Sequence, residues 1–238
     1  MEQLKYIVRY FLNIKYDMEN TLISKYLKIN CWHLFLLNIM IYAIMIFVEY
    51  RFIQTDNYYS MYLKPLFSSA DDYQKAISEA KFYELYNYLW IPVHIAIQVI
   101  LISICLFIGY NALNYFISFK NSVKATCQSI IIFSLNSLLV TSLKAGGVIE
   151  YNAKTVDDEF FFQSLGRLFV NQDLPNIIYR LLEKVNFVEV IFILVLSSIL
   201  SKILVVNLMR TILLTLGIYL FGTIIYICFM YFIELLFN

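Results

Sequence analysis

The sequence predicts an all-α integral membrane protein with about five transmembrane helices and additional amphipathic helices at the membrane interface. Three observations predict it. The first is composition: of 238 residues, 61% are apolar and 15% charged, with a mean hydropathy of +0.70. A soluble domain is about half apolar and roughly a quarter charged. The second is length. A bilayer core needs about 20 apolar residues in helical form, and five stretches meet that requirement. The third is pattern, because these stretches are continuously apolar where the strands of a membrane barrel would alternate.

The first span runs from about Trp32 to Val48, entered through Cys31-Trp32-His33 and left at Glu49-Tyr50-Arg51. The second runs from about Leu89 to Phe116, with Trp90 and Pro92 at its opening, where a missing first-turn N–H costs nothing. The third covers about Cys127 to Leu143 and stops at Gly146-Gly147, a helix C-terminus signal. The fourth (about Phe187 to Val206) and fifth (about Ile212 to Phe237) are separated only around Asn207 and Arg210, which predicts an antiparallel hairpin. The chain thus divides into an amphipathic N-terminal segment, 1–30, and a five-span domain, 31–238, with outer segments 49–88 and 144–186.

In the first segment Leu4, Ile7, Val8, Phe11 and Leu12 share one helical face, with Lys5, Arg9 and Asn13 opposite. Such a helix lies in the headgroup plane or packs on the cytoplasmic ends of the spans. No apolar core of signal-peptide type precedes a small-residue cleavage site. In the outer segments, Ser69 with Asp72 and Thr155 with Asp158 read as N-caps of the capping-box type. Apolar stripes follow the second cap: Phe161, Leu165, Leu168 and Phe169, then Ile177, Ile178, Leu181, Leu182 and Val185 beyond Pro175. Tyr58, Tyr59, Tyr62, Tyr73, Tyr83, Tyr86 and Tyr88 crowd the first outer segment, where tyrosines anchor at the interface or meet a partner.

Orientation follows from basic residues near span ends in short loops, since long loops count little. Both short loops carry two cations and no acid: Lys120 and Lys124, then Lys202 and Arg210. The long segments hold Asp71, Asp72, Asp157, Asp158 and Glu159 among their acids. The N-terminus is therefore expected inside, the C-terminus outside, and the membrane to be a bacterial inner membrane.

The chemistry on offer is sparse. Cys31, Cys105, Cys127 and Cys228 sit in or at the ends of spans without a CxxC pair, so neither a disulfide framework nor a zinc site is expected. His33 and His94 lie near span ends at opposite faces, too far apart to share a metal. No Ser-x-x-Lys, HExxH, GxSxG or P-loop pattern occurs. A net charge of +1 offers no footprint for nucleic acid. No enzyme activity and no cofactor is expected. Unpaired polar groups are expensive in hydrocarbon, so those inside spans are the candidate sites: Asn38, Gln98, Asn136, Glu189, Ser197, Ser201 and Lys202, with Ser198 beside them. Interhelical packing is the favoured role, a substrate pathway the competing one. Glu189 sits one turn inside its span, and Lys202 has the reach to snorkel to the inner face.

The segment Ile117-Ser118-Phe119-Lys120-Asn121-Ser122-Val123-Lys124 leads into the polar span Ser129 to Leu143. A hairpin then begins near Asn186-Phe187, and its first helix ends in Leu196-Ser197-Ser198-Ile199-Leu200-Ser201-Lys202, with Arg210 opening the last helix. In layout, residues 30–238 resemble the Yip domain family, five-span membrane proteins with a cytoplasmic N-terminus and an outer C-terminus. The eukaryotic Asp-Leu-Tyr-Gly-Pro motif is absent. The resemblance therefore implies architecture and a non-enzymatic, partner-binding character. The resulting expectation is a scaffold or accessory subunit of a larger membrane or envelope assembly, in contact with the bilayer and other membrane proteins. The alternative is the permease subunit of a transporter.

Overall fold

A computed structural model describes residues 29–62, 64–67, 69–151, 163–165, 178, 182 and 186–237. The N-terminal segment 1–28 and the Thr155–Asp158 cap lie outside the described residues, as do the stripes that follow the cap, apart from Leu165, Ile178 and Leu182. Among the described residues the elements are helical, with one isolated antiparallel bridge between Ser164 and Asn186. Five helices are long and apolar enough to cross a bilayer. The protein is an all-α integral membrane protein.

Helix α1, Cys31–Val48, is capped by Asn30, whose side chain accepts from the Trp32 N–H at 3.1 Å. It continues as one π-helical turn, Glu49–Ile53, closed by Gln54 N donating to Glu49 O at 2.9 Å. The side chains tie this end down. Gln54 Nε2 donates to Glu49 Oε1 at 2.7 Å, and Tyr59 OH to Gln54 Oε1 at 3.1 Å. Tyr59 belongs to a short outer helix, α2 (Asp56–Tyr62), and burial pushes its phenol up to about 12, with Tyr50 and Tyr58 adding to the effect.

Helix α3, Ala70–Ala112, differs from expectation in its extent. Ser69 caps it, accepting from Asp72 N at 3.1 Å and donating to Asp72 Oδ2 at 2.8 Å. From there the helix runs unbroken through Pro92, so the cap and the second span are one element. Pro92 is interior rather than initial, and its missing N–H leaves the Tyr88 carbonyl without an intrahelical donor. Forty-three residues make about 64 Å of helix, twice the bilayer core of about 30 Å. Asp71, Asp72, Lys75, Glu79, Lys81 and Glu84 all fall in its first part, which stands beyond the hydrocarbon.

Helices α4, Phe119–Ser129, and α5, Ile131–Ala145, form the third span with a slight break at Ile130. The end at Gly146-Gly147 is as expected and is a Schellman closure. Gly147 adopts φ +69°, its N–H donates to Lys144 O at 3.0 Å, and Val148 N donates to Leu143 O at 2.9 Å. The hairpin is also as expected. Helix α6, Phe187–Leu204, is capped by Asn186, and α7, Leu208–Phe237, begins after a connection of three residues. The turn is made by Val205 at φ 55°, a left-handed conformation that is costly for a β-branched residue.

The α4–α5 span is the axis of the bundle. It packs on α1, α3 and α6, while α7 closes against α3 and α6. Contacts fix the senses of the helices. Asn38 meets Ser134 and Cys31 meets Cys127, so α1 and α4–α5 run parallel. Ser103 meets Thr126 and Phe107 meets Phe119, so α3 runs against that axis; α6 meets Phe133 near its start, at Phe192, and packs on α4 farther along, so it does the same. The core joins Ile95, Leu106 and Tyr110 to Phe133, Phe192, Leu196 and Leu200.

Candidate functional site

The third span is the least apolar of the five and the most enclosed. Inside the bundle, 61% of its most apolar window is buried, against 11% for the last span. The two facts have one cause. A helix facing lipid must be apolar all round its outer side, whereas a helix ringed by neighbours can carry polar groups that they satisfy. Ser122, Thr126, Ser129, Ser134, Asn136, Ser137 and Thr141 are all buried along it.

Most of these hydroxyls are satisfied locally. Thr126 donates to Ser122 O at 3.0 Å and Ser129 to Ala125 O at 2.9 Å, the back-bonding that lets a hydroxyl sit inside a helix. Between helices, Ser103 Oγ lies 3.2 Å from Thr126 Oγ1. Tyr110 OH lies 2.7 Å from Thr215 Oγ1, itself bonded to Thr211 O at 2.8 Å. These contacts clip α3 to α4 and to α7.

The predicted residues divide by how they are satisfied. Asn38 is fully enclosed: its amide donates to Leu34 O at 2.8 Å, and its Oδ1 accepts from Ser134 Oγ. Asn136 accepts from Gln163 Nε2 at 3.0 Å, so the segment after the third span reaches back to it. The other atoms of that amide pair, Asn136 Nδ2 and Gln163 Oε1, are buried without a partner. Gln98 Nε2 lies 2.9 Å from His94 Nε2, and its buried Oε1 has no partner. Ser197 and Ser201 share a buried face of α6. Ser201 Oγ donates to Ser198 O at 2.9 Å, whereas Ser197 Oγ makes no hydrogen bond. Lys202 is exposed in the last turn, where a cation suits the negative helix end.

Glu189 is the acidic candidate. It stands in the first turn of α6, where the helix dipole favours a carboxylate, and its N–H donates to the Asn186 cap at 2.8 Å. Its Oε2 accepts from Tyr219 OH of α7, and Phe192 lies against the Tyr219 ring at 5.5 Å between centroids. Asn38, Asn136 and Glu189 thus each find a partner outside the predicted set. Ser134, Gln163 and Tyr219 complete them. A tyrosine, serine or glutamine is too common to mark itself, and the partners of these pairs stand 96, 27 and 30 residues apart in the chain.

His94 lies on α3 two residues beyond Pro92. Its ring meets that of Tyr42, in the C-terminal half of α1, edge-on at 6.3 Å. The Cys31 and Cys127 thiols come within hydrogen-bonding reach of each other, although all four cysteines are free. Among the described residues no three His, Cys, Asp or Glu side chains converge as a metal site would require. Among the described residues the interior therefore offers amides and hydroxyls, the Glu189–Tyr219 pair and the buried Lys144 near the end of α5, a set suited to holding helices in register.

Compared with known proteins, the chain matches no family model, no curated protein and no solved structure.

Proposed function

We propose that this protein is a non-enzymatic scaffold or accessory subunit of a larger membrane or envelope assembly. The observation that carries the reading is the projection of α3 beyond the bilayer core. Its outer part is held upright where Asn87 Nδ2 donates to Tyr50 OH of α1 at 2.9 Å. On that part Phe82, Leu85, Tyr86 and Leu89 follow helical spacing and are all exposed. Lys81 and Glu84 lie among them, so this stripe begins where water reaches the helix. A rigid apolar stripe in that position suits a protein partner.

Phe82→Ser with Leu85→Ser tests the reading. Both side chains are exposed, so membrane abundance and thermal stability in detergent should stay within about 0.5 kcal/mol of wild type. Proteins that co-purify with the native chain should be lost. Retention of the same co-purifying set by this variant would remove the scaffold reading.

The proposed orientation places the N-terminus in the cytoplasm and the C-terminus outside, in a bacterial inner membrane, with a layout like that of the Yip domain family. Its support is the confinement of Lys120, Lys124, Lys202 and Arg210 to one end of the bundle. In a background without native thiols, Asn57→Cys should react with an impermeant reagent in intact cells and Asn121→Cys should not. The reverse pattern inverts the protein. A permease subunit is the second reading, favoured by the unpartnered polar atoms of Gln98, Asn136 and Ser197 along the interior. Co-purification of an ATPase would select it.

A further inference from the structure

All four cysteines of the chain fall among the described residues, and the fold sorts them into three settings. Cys228 is exposed on α7, the span with the least burial inside the bundle. Cys105 faces α7 from α3, its Sγ 2.9 Å from where a Cβ on Gly222 would stand. Cys31 and Cys127 stand together, their thiols within hydrogen-bonding reach where α1 meets α4. Helix register gives the same pairing. Asn38 and Ser134, which share a hydrogen bond, are 96 residues apart in the chain, and so are Cys31 and Cys127. On each helix the cysteine precedes its polar neighbour by seven residues, two turns that return to the same face. Ile130 keeps helical angles of φ −63° and ψ −20°, and its N–H donates to Thr126 O at 2.9 Å, so the register carries across the α4–α5 break.

The two thiols differ in access. Cys127 is buried, with 6% of its area exposed. Cys31 is half-buried and opens α1, directly after the exposed cap Asn30. Trp32 follows it, 61% exposed and stacked on Phe35. A polar cap and an exposed tryptophan mark the boundary between water and hydrocarbon. Cys31 can therefore meet a water-soluble reagent that Cys127 cannot. One reachable sulfur with a second, sheltered sulfur behind it is the arrangement of an attacking and a resolving thiol.

We infer that Cys31 and Cys127 are a redox-active dithiol that closes to a disulfide by exchange with a low-molecular-weight disulfide. In the first step the Cys31 thiolate attacks one sulfur of the reagent, forming a mixed disulfide on Cys31 and releasing one thiolate. In the second, Cys127 gives up its proton and attacks the Cys31 sulfur, and the other half of the reagent leaves. The two cysteines lose two electrons, the reagent's S–S bond takes them, and the two protons end on the released thiols. The new bond ties the first span to the central one. It is a reversible modification rather than a folding staple, because the Asn38–Ser134 contact joins the same two spans while the thiols are reduced. In a reducing compartment the dithiol is the resting form, and closure registers oxidation.

The test uses the full chain, purified reduced in detergent and incubated with oxidised glutathione in air-free buffer. After an acid quench and denaturation, the remaining thiols are alkylated and mass spectrometry reads the intact chain and its peptides. Wild type should fall from four alkylatable thiols to two, with Cys31 and Cys127 in one cross-linked peptide pair. Cys127→Ser should stop at the first step and hold one glutathione on Cys31. Cys31→Ser should leave Cys127 reduced. Cys105→Ala with Cys228→Ala should close the same bond as wild type, and dithiothreitol should reopen it. Thermal unfolding in detergent checks that each variant folds. If either serine variant does not, the peptide connectivity of wild type and of Cys105→Ala/Cys228→Ala carries the test. The proposal is overturned if wild type keeps all four thiols, or if glutathione accumulates on its Cys31 without resolving. A disulfide between chains, one that uses Cys105 or Cys228, or oxidation of Cys127 in Cys31→Ser overturns it as well.

Discussion

Gly109→Ala is expected to destabilise the bundle by about 1–3 kcal/mol, the usual cost of forcing extra atoms into a close-packed contact. A Cβ at this position would lie 2.6 Å from Ile218 Cγ1 and 2.7 Å from Ile218 Cγ2. These atoms sit on the branch point of a stiff side chain, so they cannot swing aside as a flexible tip would. The contact lies where α3 crosses α7, a helix with little other burial, and close approach there is what a glycine supplies.

The glycines of α7 give the controls. Gly217 has nothing within 4 Å of where its Cβ would stand. Gly217→Ala should therefore stabilise by roughly 0.5–1 kcal/mol through helix propensity alone. Gly222 would meet Cys105 Sγ at 2.9 Å, the movable end of a short side chain, so Gly222→Ala should fall between the two. The decisive measurement is unfolding of Gly109→Ala in an Ile218→Ala background. Its cost should shrink to within about 0.5 kcal/mol of zero, because the colliding atoms are gone. An equal cost in both backgrounds would show that Gly109 serves some other purpose.

How much of this was legible before the structure depends on the range of the signal. Span number, the Schellman end at Gly146-Gly147, the Ser69 cap and the α6–α7 hairpin are all local, and all are as read. The α3 extension was misjudged for a physical reason. A proline after an aromatic reads as a helix start, and nothing local shows that the helix capped at Ser69 continues into it. Pro92 is tolerated mid-helix because the run on either side is long enough to propagate through one missing bond. Asn38, Asn136 and Glu189 announced themselves as polar groups in hydrocarbon. Ser134, Gln163 and Tyr219 did not, since each acquires its meaning only when a distant helix or segment is brought against it. The same holds for Gly109, which is one glycine among six until Ile218 faces it.

Tyr219→Phe should cost about 2–3 kcal/mol, since it removes a charge-assisted hydrogen bond and deprives a carboxylate between helices of a donor. Glu189→Gln should cost less, because an amide oxygen still accepts from the phenol and asks for less solvation. Glu189→Leu with Tyr219→Phe should recover part of the loss, as replacing both members of a half-buried pair leaves neither without the other. Abundance in the membrane and unfolding in detergent measure all three. These outcomes also bear on function. A residue that serves cohesion acts through stability, so its phenotype should follow the amount of folded protein and be rescued by overexpression. A gating or catalytic carboxylate behaves otherwise, because losing it removes ligand or transition-state interactions while the fold survives. A Glu189→Gln protein that is abundant, stable and still bound to its co-purifying proteins, yet inactive in the cell, would sink the scaffold reading at this position. It would make the Glu189–Tyr219 pair the first place to look for a transported proton or cation.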